Sequence, residues 1–302
     1  MQDLLVLGAS MTTAMGVLFT ASTFGSVPNA VRLARSLDVL AGRRFLILTG
    51  PRREEMEDIR RQISSPSVIV LNSTVNNLYY CRGVGLAFAI HEGLEASYLC
   101  SCDDDLEFLP EGAGLIANLD EDWFIQGFSA LTFDNNAQWY DNFGGTTIRN
   151  LRVGIAWING DSMFVRWDDA LACGVPDSLP DVPLTYYTEF EYQCRLQCQT
   201  GRPLVADIRR PIQYTHHFRE AGPITDERAF RAGDGAAAAL RFWEQKYGVV
   251  SAGVTDAERL GNLKATVCAN PAKSRQHLIF GGLTPDWPAI WKMVRATVEV
   301  IG

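Results

Sequence analysis

Apolar and polar positions alternate in blocks over the first hundred residues. "GVLFTAST" (16–23) is a continuous apolar run that reads as a buried strand. "VPNAVRLARSLDVLAG" (27–42) then places Val31, Ala34, Leu37 and Val39/Leu40 at helical spacing and stops at Gly42. "RRFLILTG" (43–50) predicts a second strand, and "PRREEMEDIRRQI" (51–63) a helix opened by Pro with acids in its first turn. "SVIVLN" (67–72), "RGVGLAFAIHEGLEA" (82–96) and "SYLCSC" (97–102) continue as strand, helix and strand. Strands alternating with helices of this length imply βαβ units and a mainly parallel sheet.

Past residue 105 the alternation loosens. "FIQGFSAL" (124–131) and "GIAWINGDSMFVRW" (154–167) predict strands, and "TFDNNAQWYDNFGGTTIRN" (132–150) a long polar loop. "YYTEFEYQCRLQCQTG" (186–201) predicts a helix, and "ADIRRPI", ahead of "QYTHHF", another strand. From 222 on, "AAAALRFWEQKYG" and "PDWPAIWKMVRATVEVI" read as two helices. This divides the chain into an α/β domain over 1–221, with halves at about 15–105 and 106–221, and a C-terminal helical extension over 222–302.

The strand "SYLCSC" ends in Asp103, Asp104 and Asp105. In an open parallel sheet the carboxyl ends of the strands face the ligand crevice. Three adjacent carboxylates repel unless donors or a cation compensate them, and hard divalent ions take carboxylate oxygens while sharing their shell with phosphates. The bland alternative is a solvated turn. His216 and His217 follow the late strand, and imidazole suits Mn²⁺ better than Mg²⁺. Upstream, Arg82 and a Gly-spaced helix start offer an anion the N–H groups of a helix terminus.

Composition narrows the partners. The 302 residues carry 27 Lys+Arg against 35 Asp+Glu, a net charge of −8 that does not advertise a nucleic-acid or anionic-membrane protein. Arg pairs at 43–44, 52–53, 60–61 and 209–210 leave room for a local basic patch. The seven Cys form no CxxC pattern and are expected as reduced, buried thiols, which points to a cytoplasmic setting. Cys194 and Cys198 share a helix face and read as core, whereas Cys100 and Cys102 share a strand face too closely for a sound disulfide. The apolar N-terminus lacks a basic n-region, and no 18-residue apolar run predicts a membrane span.

The ordered motifs "CRGVG" (81–85), "CDDDLEF" (102–108), "NGDSMFVRWDDALACG" (159–174), "YTEFEYQCRLQCQTG" (187–201) and "THHF" (215–218) resemble those of GT-A-fold glycosyltransferases, the large family-2 group and its relatives. The likeness spans about residues 15–220. It implies a Rossmann-like mixed sheet flanked by helices, and a sugar moved from a nucleotide-sugar donor to a hydroxyl acceptor with Mn²⁺ or Mg²⁺. It puts Asp103 on the nucleotide and metal, Asp104 near the ribose or metal, and Asp105 on the metal, with His216 or His217 as the later ligand. Thr20, Ser22 and Arg82 fall on the donor side, and Asp161, in a strand facing the site, is a candidate for touching the donor or the acceptor sugar. The base implied at the head of the late helix is Glu189, with Glu191 second. Glu189 could equally be a first-turn acid complementing the helix dipole.

Two departures stand out. Thr188 replaces the acid that precedes the family's base, and "LTGPRREE" (48–55) replaces an Asp-rich turn that holds the nucleobase. Arg52 and Arg53, at a helix start, could meet an anionic partner or be solvated surface. Asp168 and Asp169 read as helix openers, Trp139, Tyr140 and Trp157 as candidates for stacking on a sugar or base, and Trp287 and Trp291 as docking residues of the last helix. A glycan or small-molecule acceptor is the default. A hydroxylated base in DNA, a nucleotidyltransferase and a non-catalytic carbohydrate-binding protein are the alternatives. A nucleotidyltransferase would need a Gly-rich cationic loop after its first strand, where this chain has "TASTFGSVPN".

Overall fold

The computed structural model describes residues 16–40, 42–110, 125–127, 147–149, 152–155, 162–182, 188–201, 204–207, 214–216, 235–248 and 256–302. Its first half follows the predicted alternation: β1 (Gly16–Ser22), α1 (Val27–Ser36), β2 (Arg43–Gly50), α2 (Arg53–Gln62), β3 (Val68–Ser73), α3 (Leu78–His91) and β4 (Tyr98–Asp103). Then come β5 (Leu106–Phe108), β6 (Ile125–Gly127), β7 (Thr147–Arg149), β8 (Arg152–Ile155), β9 (Ser162–Arg166), α4 (Trp167–Cys173), α5 (Thr188–Thr200), β10 (Leu204–Asp207) and β11 (Tyr214–His216). The C-terminal part adds α6 (Gly235–Tyr247), α7 (Asp256–Ala269), α8 (Trp287–Val294) and β12 (Val298–Ile301).

Ten strands form one sheet in the order β12-β3-β2-β1-β4-β9-β6-β10-β8-β7, and β11 pairs with β5 in a small second sheet. The run β3-β2-β1-β4 is parallel throughout, the Rossmann-like half that the βαβ pattern predicts. β9 enters antiparallel between β4 and β6, and β10 runs parallel to β6. The mixed α/β sheet flanked by helices is therefore the architecture of this chain.

Strand alternation assigns the two faces. Leu18, Ile47, Ile69, Leu71 and Leu99 join α3, α4, α5 and α8 in one core, while Val17, Phe19, Leu46, Leu48 and Cys100 meet α1 and α2 in the other. α3 is enclosed from Tyr79 to Ala89 because it lies between the sheet and the returning C-terminal segment. Its two glycines serve those two contacts. A Cβ on Gly85 would meet Ile47 Cγ2 at 3.3 Å on the sheet side, and one on Gly83 would meet Phe280 Cζ at 2.5 Å on the other. Asn77 caps the helix, accepting from the Tyr80 N–H at 2.9 Å and donating to the Leu179 and Val182 carbonyls at 2.9 and 2.7 Å.

Three expectations change here. The helix of α3 begins at Leu78, four residues before Arg82, because Asn77 supplies the cap. The segment read as one last helix ends at Val294, and Val298–Ile301 is a strand paired antiparallel with β3. Trp287, its Nε1 donating to the Leu171 carbonyl at 2.9 Å, docks α8 onto the domain. Finally, Cys198 of α5 and Cys268 of α7 form a disulfide, with Cα atoms 5.3 Å apart, so not every thiol is reduced; Cys81, Cys100, Cys102, Cys173 and Cys194 are buried and outside any disulfide. Among the described residues no helix is long and apolar enough to cross a membrane.

Candidate active site

The α3-facing side of the parallel strands changes character toward their carboxyl ends. On β1, Leu18 is followed at two-residue intervals by Thr20 and Ser22; on β2, Ile47 by Thr49; on β4, Leu99 by Ser101 and Asp103. The parallel register aligns these positions, with Ser22 beside both Thr49 and Asp103, and Thr20 beside Ser101. Apolar rows thus give way to a hydroxyl and carboxylate row at the end where an open sheet receives ligand. Thr20, Ser22 and Thr49 are buried, and their hydroxyl oxygens have no hydrogen-bond partner within the protein. Buried polar groups are nearly always satisfied, so three orphan hydroxyls side by side call for an explanation.

Arg82 reaches this row from α3. Its side chain is 2% exposed, Nη1 donates to Ser101 Oγ at 3.2 Å, and Nη2 donates to Asp103 Oδ1. Burial works against its charge, but Asp103 together with the neighbouring Tyr79 and Cys102 outweighs that and keeps the guanidinium firmly protonated. The sequence expectation of anion-binding helix N–H groups at Arg82 is corrected, since the residue lies in the second turn and acts through its own side chain.

Asp104 and Asp105 form the turn that leaves β4. Asp104 Oδ2 is buried without a hydrogen-bond partner, and burial pushes its carboxyl up to about 7, with Asp105 and Asp103 adding repulsion and the nearby Thr23 hydroxyl opposing it. β11 pairs with β5 so that the His216 backbone lies opposite Leu106, the residue directly after Asp105. The late histidine thus has its backbone on the strand that pairs beside the aspartate turn. His217 and Asp161 lie outside the described residues, as do Trp139, Tyr140 and Trp157. Among the described residues no group of three or more His, Cys, Asp or Glu is arranged to hold a metal.

Glu189 stands in the first turn of α5, partly buried, and accepts a hydrogen bond from the Tyr79 hydroxyl of α3. Burial raises its carboxyl above the ordinary value, against the pull of Tyr79 and Arg82 and with the push of Asp103. The structure therefore gathers Thr20, Ser22, Arg82, Asp103, Asp104, Asp105 and Glu189 about the carboxyl end of β4.

Glu191 belongs elsewhere, and its candidacy as a base is corrected. It is fully buried, 3.0 Å from Arg195 Nη2 and 3.1 Å from Lys246 Nζ, and it accepts from the Tyr247 hydroxyl. Lys246 also pairs with Asp177 at 2.9 Å, and Asp177 accepts from the N–H groups of Leu278 and Ile279. Two anions and two cations thus balance in the interior between α5, α6 and the chain around 278. Arg195 also donates to the Cys173 and Val175 carbonyls and lies 2.9 Å from His277 Nε2.

Arg44 bonds to Asp38, Arg52 to Glu55, Arg53 to Glu57 and Glu299, and Arg61 to Asp58, the solvated-surface reading of the Arg pairs. Arg209 and Arg210 lie outside the described residues. Asp168 and Asp169 open α4 as expected. Sequence reasoning missed Tyr79, Thr49 and Ser101; the spacing of polar residues at i, i+2 at the ends of apolar strands was the available signal for the last two.

No family model matches the chain, and no curated protein does. Among solved structures it is similar to the inositol-1-phosphate CTP transferase from T. maritima, at 11% identity and TM-score 0.40 over 73% of this chain and 98% of that one. It is also similar to the galactosyltransferase LgtC in complex with donor and acceptor sugar analogs, at 11% identity and TM-score 0.36 over 82% of this chain and 100% of that one. Against an active-site mutant of LgtC, also at 11% identity, the TM-score is 0.33 and this chain spans 58% of the other's length and 51% of its own.

Proposed function

We propose that the chain is a metal-dependent glycosyltransferase that moves a sugar from a nucleotide-sugar donor to a hydroxyl acceptor. One observation carries the reading: the aspartate turn leaves the central parallel strand β4 beside a row of buried, unpartnered hydroxyls on β1 and β2. Such hydroxyls are donors without an acceptor in the chain, and the oxygens of a nucleoside diphosphate are acceptors of the matching kind.

The residue types about the turn are those a divalent ion takes, although the described side chains are not gathered into a ready-made cluster. Asp105 and Asp103 offer hard carboxylate oxygens, Asp104 has an orphan oxygen in the same turn, and His216 lies on the neighbouring strand, a mixture suited to Mn²⁺ and, without the imidazole, to Mg²⁺. When bound, the ion neutralises charge that develops on the departing diphosphate.

The residues of the chain do the rest. Arg82, held by Ser101 and Asp103, fixes the aspartate strand end and sets a positive charge beneath the diphosphate. Glu189, its carboxyl raised above the ordinary value by burial, takes the proton of the acceptor hydroxyl. The acceptor oxygen bonds to the sugar carbon as that carbon's bond to the diphosphate oxygen breaks. The nucleoside diphosphate departs with the bonding electrons.

The test is release of nucleoside diphosphate from a panel of donors and sugar acceptors, with Mn²⁺ or Mg²⁺ and with Asp105→Ala as control. Metal-dependent release that Asp105→Ala abolishes is expected. No release with any donor, release indifferent to Asp105→Ala, or pyrophosphate as the product would overturn the reading.

A further inference from the structure

We propose that Tyr79 is a positioning residue that fixes the carboxylate of Glu189 for proton transfer, a role resting on the reading of Glu189 as the base. No motif in the sequence announces it. Tyr79 lies in the first turn of α3 and is fully buried, its ring packed in the core beneath the sheet. Its hydroxyl donates to Glu189 Oε1 across 110 positions of sequence. Its ring also lies under the Arg82 guanidinium, with Cζ 5.8 Å from the centroid. One side chain therefore touches both the base and the arginine that holds Asp103. The path Glu189–Tyr79–Arg82–Asp103 joins the head of α5 to the end of β4.

A glutamate at the start of a helix has three rotatable bonds and loses its freedom only if something fixed holds its end. Tyr79 is such a holder, because its own rotamer is locked by close packing on every side. Burial, with Glu189 adding to it, pushes the phenol well above its ordinary value, so the hydroxyl keeps its proton and remains a donor throughout the working range. The charged and titratable groups facing Glu189 are Tyr79 and Arg82 from α3 and Asp103 from β4. Of these, only Tyr79 touches the carboxylate directly among the contacts described.

Tyr79→Phe removes the hydroxyl and keeps the ring over Arg82. Tyr79 lowers the Glu189 value, so its loss lets burial raise that value further and leaves less carboxylate at a given pH. The expected result is a kcat about tenfold lower at neutral pH, an unchanged donor KM, and an acid limb of the kcat profile displaced upward by about one pH unit.

Two readouts do not depend on turnover. The ¹³C resonance of the Glu189 carboxyl titrates higher in Tyr79→Phe than in the unaltered protein. The Tyr79 Cζ resonance moves in Glu189→Gln, which serves should the phenylalanine variant fail to fold. If both resonances stay in place, or if the acid limb stays while Glu189→Gln is inactive, the positioning role is wrong and the base assignment survives. Full turnover by Glu189→Gln removes the base assignment and with it the role proposed for Tyr79.

Discussion

Glu191→Gln tests whether a buried carboxylate two residues from the candidate base holds the fold or does chemistry. The unaltered interior pairs Asp177 and Glu191 with Arg195 and Lys246, two charges of each sign, all at 1% side-chain exposure or less. Glutamine keeps the shape and removes one anion, so Arg195 and Lys246 are left against Asp177 alone. Stranding a buried charge by removing its partner costs about 3–5 kcal/mol. At about 2 °C per kcal/mol for a chain of this size, that predicts a melting temperature lower by about 6–10 °C.

Equilibrium unfolding in urea with calorimetry measures it, with nucleoside diphosphate release run on the same samples below the transition. Glu191→Gln paired with Lys246→Met restores the balance and should recover most of the loss, which a double-mutant cycle reads as coupling. Near-native stability in Glu191→Gln together with abolished turnover would refute the reasoning and return Glu191 to the catalytic residues.

The pH dependence has a definite sign. Burial alone would raise the Glu191 carboxyl, but Arg195 and Lys246 outweigh it and hold it below the ordinary 4.5. Its stabilisation is complete above 4.5 and is lost as pH falls through the lower value of the folded state. Burial, with repulsion from Arg195 and Lys246, holds His277 well below 6.5, so the folded state resists its protonation and stability declines as pH falls from 6.5. Acid unfolding of the unaltered protein should therefore begin near 6.5 and steepen below 4.5, and Glu191→Gln should flatten the lower part.

Three further predictions address other contacts. Gly83→Ala drives a methyl into the Phe280 ring, with Val175 Cγ2 at 3.1 Å blocking the other side, and should destabilise by about 1–3 kcal/mol in urea unfolding. Asp103→Asn deprives the buried Arg82 guanidinium of its counter-charge, so both the melting temperature and the affinity for nucleoside diphosphate, measured by calorimetric titration, should fall. Reducing Cys198–Cys268, which closes a 70-residue separation, should cost about 4 kcal/mol by the loop-entropy relation, read as a lower melting temperature in dithiothreitol that a Cys268→Ser variant reproduces without reductant.

The Rossmann-like half was legible because β1 to β4 are buried on both faces and α1 and α2 on one, so their hydrophobic runs carry period and length together. The aspartate turn was legible for the same reason, as a charge cluster stopping an apolar run. Glu189 and Glu191 were not separable from sequence. Both sit in the first turn of α5, and what divides them is which partner elements, α3 or α6, cover each side of that helix. The terminal strand was hidden because "RATVEVI" is short and follows a helical pattern, and only its pairing with β3 makes it a strand. The disulfide joins residues on two helices that are adjacent only after α5 and α7 pack.

That late pairing also constrains the order in which the molecule can be built. β3 emerges early, yet the strand that covers its outer edge, β12, arrives more than two hundred residues later. Until then the nascent sheet presents unpaired backbone groups along β3, an edge open to pairing with other chains. Completion must await residues 298–301, a long loop closed late, so folding is slow where contacts are most distant. During synthesis, chaperone engagement and the risk of aggregation should both be greatest in the interval between the emergence of β3 and that of β12.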